Sequence, residues 1–212
     1  PHILSCPTPK THSTNGKLIP VEVAVMKKVG RESVDSEGKS APVSLLDWYN
    51  LHQEVILVQE RPVPSHDLFC HIDASGGCLN EEEAKIIMKQ LVDAAIHLEK
   101  NGVFHRDIKS ENILIETGSE VPRVRLIDFG LSCFSERRSS YSVFCGTMSG
   151  FYSDRLLIYQ SNSKDACLAG LPEERPTLEK LKSHSWLRNQ GTTSYIYTHI
   201  LYIELISFCL FL

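Results

Sequence analysis

Eight consecutive residues near the middle of this 212-residue chain, His105-Arg106-Asp107-Ile108-Lys109-Ser110-Glu111-Asn112, bring a carboxylate, an ammonium and an amide together at short fixed spacings. Sixteen residues past Asn112 comes a second carboxylate, in Asp128-Phe129-Gly130. The pattern H-R-D-x-x-x-x-N followed by D-F-G is one that suits phosphoryl transfer. That reaction needs a carboxylate to orient the attacking hydroxyl and take its proton, a part open to Asp107. It needs cations around the γ-phosphate, and Lys109 supplies one. It also needs hard oxygen ligands for Mg²⁺, which Asn112 and Asp128 offer. Either motif alone is short enough to arise by accident. The two together, correctly spaced and in the right strand-and-loop context, are not.

Such residues must be held by regular elements, and the flanking sequence supplies them. Ala84, Ile87, Met88, Leu91, Ala95 and Leu98 form one apolar stripe at helical spacing, which predicts a helix over Glu81–Lys100. Asn80 with Glu83 three residues later reads as a capping box, and Gly102 stands where a left-handed C-terminal residue belongs. Two short β-runs follow the first motif, Asn112–Ile115 and Arg123–Ile127, joined through a turn containing Gly118. Upstream, Pro20 to Val29 reads as a short helix stopped at Gly30. Val43–Trp48 and Glu54–Val58 read as paired strands ending at Glu60-Arg61-Pro62. Downstream, Arg175-Pro176-Thr177 opens a last helix running through Trp186, with Thr177 as its N-cap. Residues 1–19 and 31–42 carry no period and read as irregular, and there are no internal repeats.

Composition narrows the class. Hydrophobic residues make up 42% and charged residues 23%, enough for a packed core. The formal charge of −4 argues against a nucleic-acid binder acting through bulk electrostatics. Seven cysteines, odd in number and without a CxxC pair, argue against a zinc site or a disulfide framework and for free thiols in a reducing compartment. With no secretory signal at the start, a cytoplasmic or nuclear location is expected. The nine histidines show no metal-ligand spacing, so His105 is expected to be scaffold rather than ligand. Arg137 and Arg138 beside Ser139, Ser140 and Tyr141 read either as a phosphorylation segment or as a solvated loop.

Beyond the two motifs, Glu60-Arg61-Pro62-Val63-Pro64 with Asp67-Leu68-Phe69 resembles the hinge of the PIM group of serine/threonine protein kinases, where a proline removes one backbone donor facing adenine. Pro20-Val21-Glu22-Val23, Leu45-Leu46-Asp47-Trp48, Gly102-Val103-Phe104-His105, Cys167-Leu168-Ala169 and Glu174-Arg175-Pro176-Thr177 are similar to the same group. The resemblance covers about residues 17–147 and 164–188. It implies an α+β, two-lobed kinase-like fold that uses ATP and Mg²⁺ to phosphorylate Ser or Thr of proteins. It further implies Gln59 as the gatekeeper and the Glu60 carbonyl at the adenine edge. Asp67 would lie near ribose and substrate, and Leu114 and Ile127 would form an apolar floor. Glu22 would be the helix glutamate that pairs with a strand lysine. Asp67 and Glu111 match acidic positions tied to basic substrates. Cys70 and Ser110 stand where many relatives carry Asp, which would blunt that preference.

The chain also departs from the pattern. It contains no G-x-G-x-x-G, and no V-A-I-K precedes Glu22. Val23-Ala24-Val25-Met26-Lys27 imitates that lysine strand, but the polar stretch after it offers no helix to supply a partner glutamate. After Cys145-Gly146-Thr147 no P-P-E or A-P-E element follows, residues 148–163 are unrelated, and Arg175 arrives only 28 residues later. The expectation is a kinase fold truncated in both lobes: residues 1–62 as a partial N-lobe, 63–188 as a partial C-lobe, and 189–212 as an apolar tail. Pro1 in place of Met fits an incomplete start. Tyr195–Leu212 is apolar but only 18 residues long, with Glu204 inside it. A membrane anchor is therefore less expected than out-of-frame sequence. The function expected is Ser/Thr protein kinase with impaired activity. The alternative is a non-catalytic, pseudokinase-like binding module.

Overall fold

The fold was analysed in a computed structural model that describes residues 10–12, 18–30, 41–51, 54–134 and 176–188. In chain order the elements are β1 (Lys10–His12), β2 (Leu18–Pro20), α1 (Val21–Val29), β3 (Leu45–Leu51), β4 (Glu54–Gln59), β5 (Ser65–Asp67) and α2 (Leu68–Ala74). There follow α3 (Glu81–Lys100), β6 (Val103–Phe104), a 3-10 turn (Ser110–Asn112), β7 (Ile113–Glu116), β8 (Arg123–Leu126), β9 (Cys133–Phe134), α4 (Leu178–Lys182) and α5 (Ser185–Arg188). The strands pair antiparallel as β1-β2, β3-β4, β5-β7-β8 and β6-β9. The architecture is α+β.

The helix α3 forms over the residues its stripe predicts. The Asn80 side chain accepts from the Glu83 N–H at 2.9 Å, and Gly102 sits at φ 59°, a left-handed geometry that costs glycine nothing. Ile87, Met88, Leu91, Val92 and Leu98 are buried in one core with Ile108, Ile113, Ile115, Val124 and Phe129. One face of α3 thus backs the segment that carries both motifs. Gln90 adds a polar tie: its amide oxygen accepts from Val124 N–H at 2.8 Å and its Nε2 donates to the Pro122 carbonyl at 2.7 Å.

The helix α1 is valine-rich, a poor composition for a helix on propensity alone. Tertiary burial overrides that: Val23, Val25 and Val29 are completely buried. Its lysines reach out to aromatic rings, Lys27 Nζ 5.5 Å from the Trp48 ring of β3 and Lys28 Nζ 5.4 Å from the Phe134 ring of β9. His97 Nε2 of α3 lies 3.0 Å from the carbonyl of Val29 at the helix end. These contacts fix α1 between β3, β9 and α3.

The elements differ from the expected ones in several places. The strand expected over Val43–Trp48 begins and ends later, at Leu45–Leu51, with a bulge between Leu45 and Asp47. Residues 42–43 instead bridge to Leu126: Val43 N–H donates to the Leu126 carbonyl at 3.0 Å, and Leu126 N–H to Ala41 at 2.7 Å. Strands β1 and β2 form within a stretch expected to be irregular, as an antiparallel ladder just ahead of α1. β5 and α2 were not expected, because three residues of strand show no alternation and the following helix is held by its Asp67 cap. The last helix is two short ones, broken at Ser183-His184 where Ser183 Oγ turns back to the Lys180 carbonyl at 2.9 Å. Thr177 does cap the first, accepting from Lys180 N–H at 3.3 Å. No helix among the described residues is long and apolar enough to cross a membrane. The segment with Ser139–Tyr141, residues 148–163 and the apolar tail lie outside the described residues.

Candidate active site

The catalytic-loop residues converge on one carboxylate. Asp107 is buried, and its Oδ2 accepts from Asn112 Nδ2 at 2.9 Å and from Lys109 Nζ at 3.0 Å. Asn112 Nδ2 also donates to the Asp107 carbonyl at 2.8 Å, which closes the loop on itself. The local fold makes this possible: a 3-10 turn at 110–112 lets Asn112 N–H reach back to the Lys109 carbonyl at 2.9 Å.

His105 braces the loop from beneath. Its ring is buried, and burial drives its pKa down to about 4 against the smaller upward pull of the Ile127 carbonyl, so it stays neutral. Nε2 lies 3.2 Å from that carbonyl and Nδ1 accepts from Asp107 N–H at 3.4 Å, which assigns the proton to Nε2. The ring packs against Phe129 at 4.6 Å between centroids. Ser132 Oγ donates to the His105 carbonyl at 3.2 Å, and Arg106 Nε donates to the Leu131 carbonyl at 2.6 Å. Ile127 N–H donates to the Asn112 carbonyl at 3.0 Å. His105, Asn112 and the segment bearing Asp128 are therefore one hydrogen-bonded unit.

Asp128 sits at φ 61° and Arg106 at φ 65°, both in the left-handed region that non-glycine residues rarely occupy. Asp128 Oδ1 accepts from Gly130 N–H at 3.2 Å. Glu22 of α1 reaches the same place: a Cβ built on Gly130 would lie 3.2 Å from Asp128 Oδ1 and 3.9 Å from Glu22 Oε2. Glu22 is buried and its Oε1 has no hydrogen-bond partner among the described residues. Burial first, and the Asp128 carboxylate second, raise its pKa to about 7. No lysine whose side chain is described pairs with it.

The donor set suits a hard divalent cation. Both Asn112 contacts on Asp107 use the amide nitrogen, so the amide oxygen is the atom it can offer a metal; Asp128 offers a carboxylate. One amide and one carboxylate oxygen, with other positions left to water and phosphate, is a common way of holding Mg²⁺.

Residues 7–166 match the family model described as protein kinase domain. The chain belongs to the protein kinase family. It is 29% identical over 83% of its length to serine/threonine-protein kinase prk-2 of Caenorhabditis elegans, of which it covers 49%. It is 35% identical over 61% of its length to serine/threonine-protein kinase pim-2 of Danio rerio, covering 41% of that protein. The same identity over the same share relates it to a PAS domain-containing serine/threonine-protein kinase of Mus musculus, of which it covers 8%. The chain thus spans about half or less of the length of these relatives.

The other residues expected around nucleotide in this kinase domain lie as follows. Leu114 is half-buried, on the face of β7 opposite the buried Ile113 and Ile115, and Ile127 is also half-buried. Asp67 pairs across β5-β7 with Leu114, and its Oδ1 caps α2 by accepting from Cys70 N–H at 2.8 Å. Glu111 is exposed, its carboxylate accepting from Ser110 Oγ at 2.7 Å. Gln59 Nε2 lies 3.5 Å from Met26 Sδ of α1. The Glu60 side chain turns inward. Its Oε2 accepts from Arg125 Nη2 at 2.6 Å and from Ser44 N–H at 3.1 Å. Arg125 was not anticipated. The signal for it was a charged residue inside an otherwise apolar run, Val124-Arg125-Leu126-Ile127.

Proposed function

We propose that this chain carries the catalytic loop and metal-binding segment of a PIM-type serine/threonine protein kinase, acting in the cytoplasm or nucleus on proteins with basic residues near the target hydroxyl. The observation that carries the reading is the buried carboxylate of Asp107 held by both Asn112 and Lys109. A carboxylate so fixed can orient a Ser or Thr hydroxyl and accept its proton, while Lys109 sets positive charge beside the transferring group. Asn112 and Asp128 are the residues that would hold Mg²⁺, which supplies charge neutralisation of the ATP phosphates. Leu114 and Ile127 offer the apolar surface for adenine, and Asp67 and Glu111 the negative charge for a basic peptide.

Phosphotransfer by this chain should be slow, because its sequence lacks the glycine-rich loop, the strand lysine and the P-P-E element. A non-catalytic binding module is the second reading, favoured by the buried Glu22 oxygen that has no partner among the described residues. A steady-state assay with a basic Ser peptide separates the two. In the kinase reading, Asp107→Asn lowers turnover roughly 10²–10⁴-fold, with Mg-ATP affinity little changed. Transfer by the unaltered chain no faster than by Asp107→Asn would sink that reading and leave the binding module.

A further inference from the structure

Arg125 is the most deeply buried charged residue described, with 1% of its surface exposed. It bridges two carboxylates from separate parts of the chain: Nη2 to Glu60 Oε2 at 2.6 Å and Nη1 to Glu116 Oε1 at 3.1 Å. Glu60 follows directly on β4, and Glu116 ends β7. The same Glu60 oxygen accepts from Ser44 N–H, and Glu60 N–H donates to the Ser44 carbonyl at 2.9 Å. Burial pushes the Glu60 pKa up, but the Arg125 hydrogen bond and charge, with the Ser44 amide, outweigh it and hold Glu60 below the usual carboxylate range. In the β7-β8 ladder Arg125 stands opposite Leu114. Three residues on comes Asp128.

We infer that Arg125 is a positioning residue for nucleotide: a buried clamp that fixes the backbone at Glu60 against the β7-β8 hairpin carrying Leu114. This rests on the kinase reading, in which Glu60 borders adenine and Leu114 lies beneath it. The guanidinium touches neither base nor phosphate; it sets the distance between the edge and the floor of the cleft. Arginine suits the task because its planar fork reaches two carboxylates at once, whereas a lysine ammonium is a point charge.

The test uses the 212-residue chain and adenosine, which carries no phosphate and so ignores the missing phosphate-binding elements. Removing Arg125 alone would take the shared guanidinium away from two part-buried carboxylates. The informative variant is the neutral set Glu60→Gln, Arg125→Met and Glu116→Gln together, since replacing a whole buried ionic cluster is often neutral for stability. Adenosine affinity is read by calorimetry or chemical-shift titration, beside the urea midpoint of each protein. We expect a midpoint close to the unaltered chain and affinity weaker by roughly tenfold, the scale of effect that a small misplacement of binding groups produces. Equal affinity would overturn the positioning role. If the triple variant does not fold, Arg125→Lys decides: a loss of about threefold supports the clamp, and unchanged affinity overturns it. If the unaltered chain binds no adenosine while its Ser44 and Glu60 amides are protected from hydrogen exchange, the nucleotide-site reading itself fails, and the positioning role with it.

Discussion

Glu22 shows what a single side chain does when one of its carboxylate oxygens is buried without a partner among the described residues. A carboxylate buried beside another carboxylate is better off protonated, and its pKa of about 7 says so. In the unfolded chain it ionises near its ordinary value of 4.5. Between those values the folded state holds more protons, so the Glu22 contribution to stability is full below pH 4.5 and is lost as pH rises to about 7. His105 runs the other way: with its folded pKa depressed to about 4, it favours the folded state at neutral pH and loses that contribution as pH falls below 6.5. The two oppose each other through mildly acid pH, so the pH profile of the unaltered chain hides both. Glu22→Gln keeps shape without charge. By urea denaturation in EDTA it should gain about 2–3 kcal/mol more, relative to the unaltered chain, at pH 8 than at pH 5. A gain equal at the two pH values would show that Glu22 is ionised throughout.

Among the elements, caps and function share residues. Asp67 holds the start of α2 and also supplies charge proposed to meet a basic peptide. Serine can cap nearly as well as aspartate but carries no charge. Asp67→Ser should therefore leave stability within about 0.5 kcal/mol and raise peptide KM more than it lowers kcat. Asp67→Ala should do the same to KM and in addition cost about 1 kcal/mol. Equal unfolding midpoints for the two variants would mean the cap contributes nothing. For α3 the corresponding expectation is dynamic: its amides and those of β7-β8 should exchange most slowly, since they line the main core.

The same elements show how far the sequence reaches. The helix α3, the β7-β8 hairpin and the order of Asp107, Asn112 and Asp128 were legible because each is encoded locally, by a stripe, a turn or a motif. β5 was not, because three residues derive their strand character from pairing with Ile115 and its neighbours on β7. Nor was the break at Ser183-His184, since the apolar residues on either side keep one period. The Arg125 clamp joins residues 65 apart, and nothing local to Glu60 announces it.

For the molecule as a whole, the question is how tightly it holds nucleotide. In the proposed function, the phosphate contacts open to the described residues would come from Lys109 and from metal that Asn112 and Asp128 would hold. Each charge-assisted contact absent from the sequence is worth ~1.5–3 kcal/mol, so losing two or three removes orders of magnitude in affinity. Mg-ATP should bind this chain far more weakly than a relative with a complete phosphate loop, and Asp128→Asn should weaken it further only when Mg²⁺ is present. Calorimetry that returns low-micromolar binding would show that another part of the chain takes over those contacts.

The left-handed backbone at Asp128 bears on how such a chain changes over generations. An aspartate there is held in an unfavourable conformation and faces the Glu22 carboxylate, two stresses that metal binding would justify in the proposed function. Asparagine or glycine would relieve both, and thermal unfolding of Asp128→Asn above pH 7 should show a higher Tm. In a lineage still using the reaction, that gain is closed off. In one that has abandoned it, drift at position 128 is downhill, so the residue found there in natural variants dates the loss of phosphotransfer.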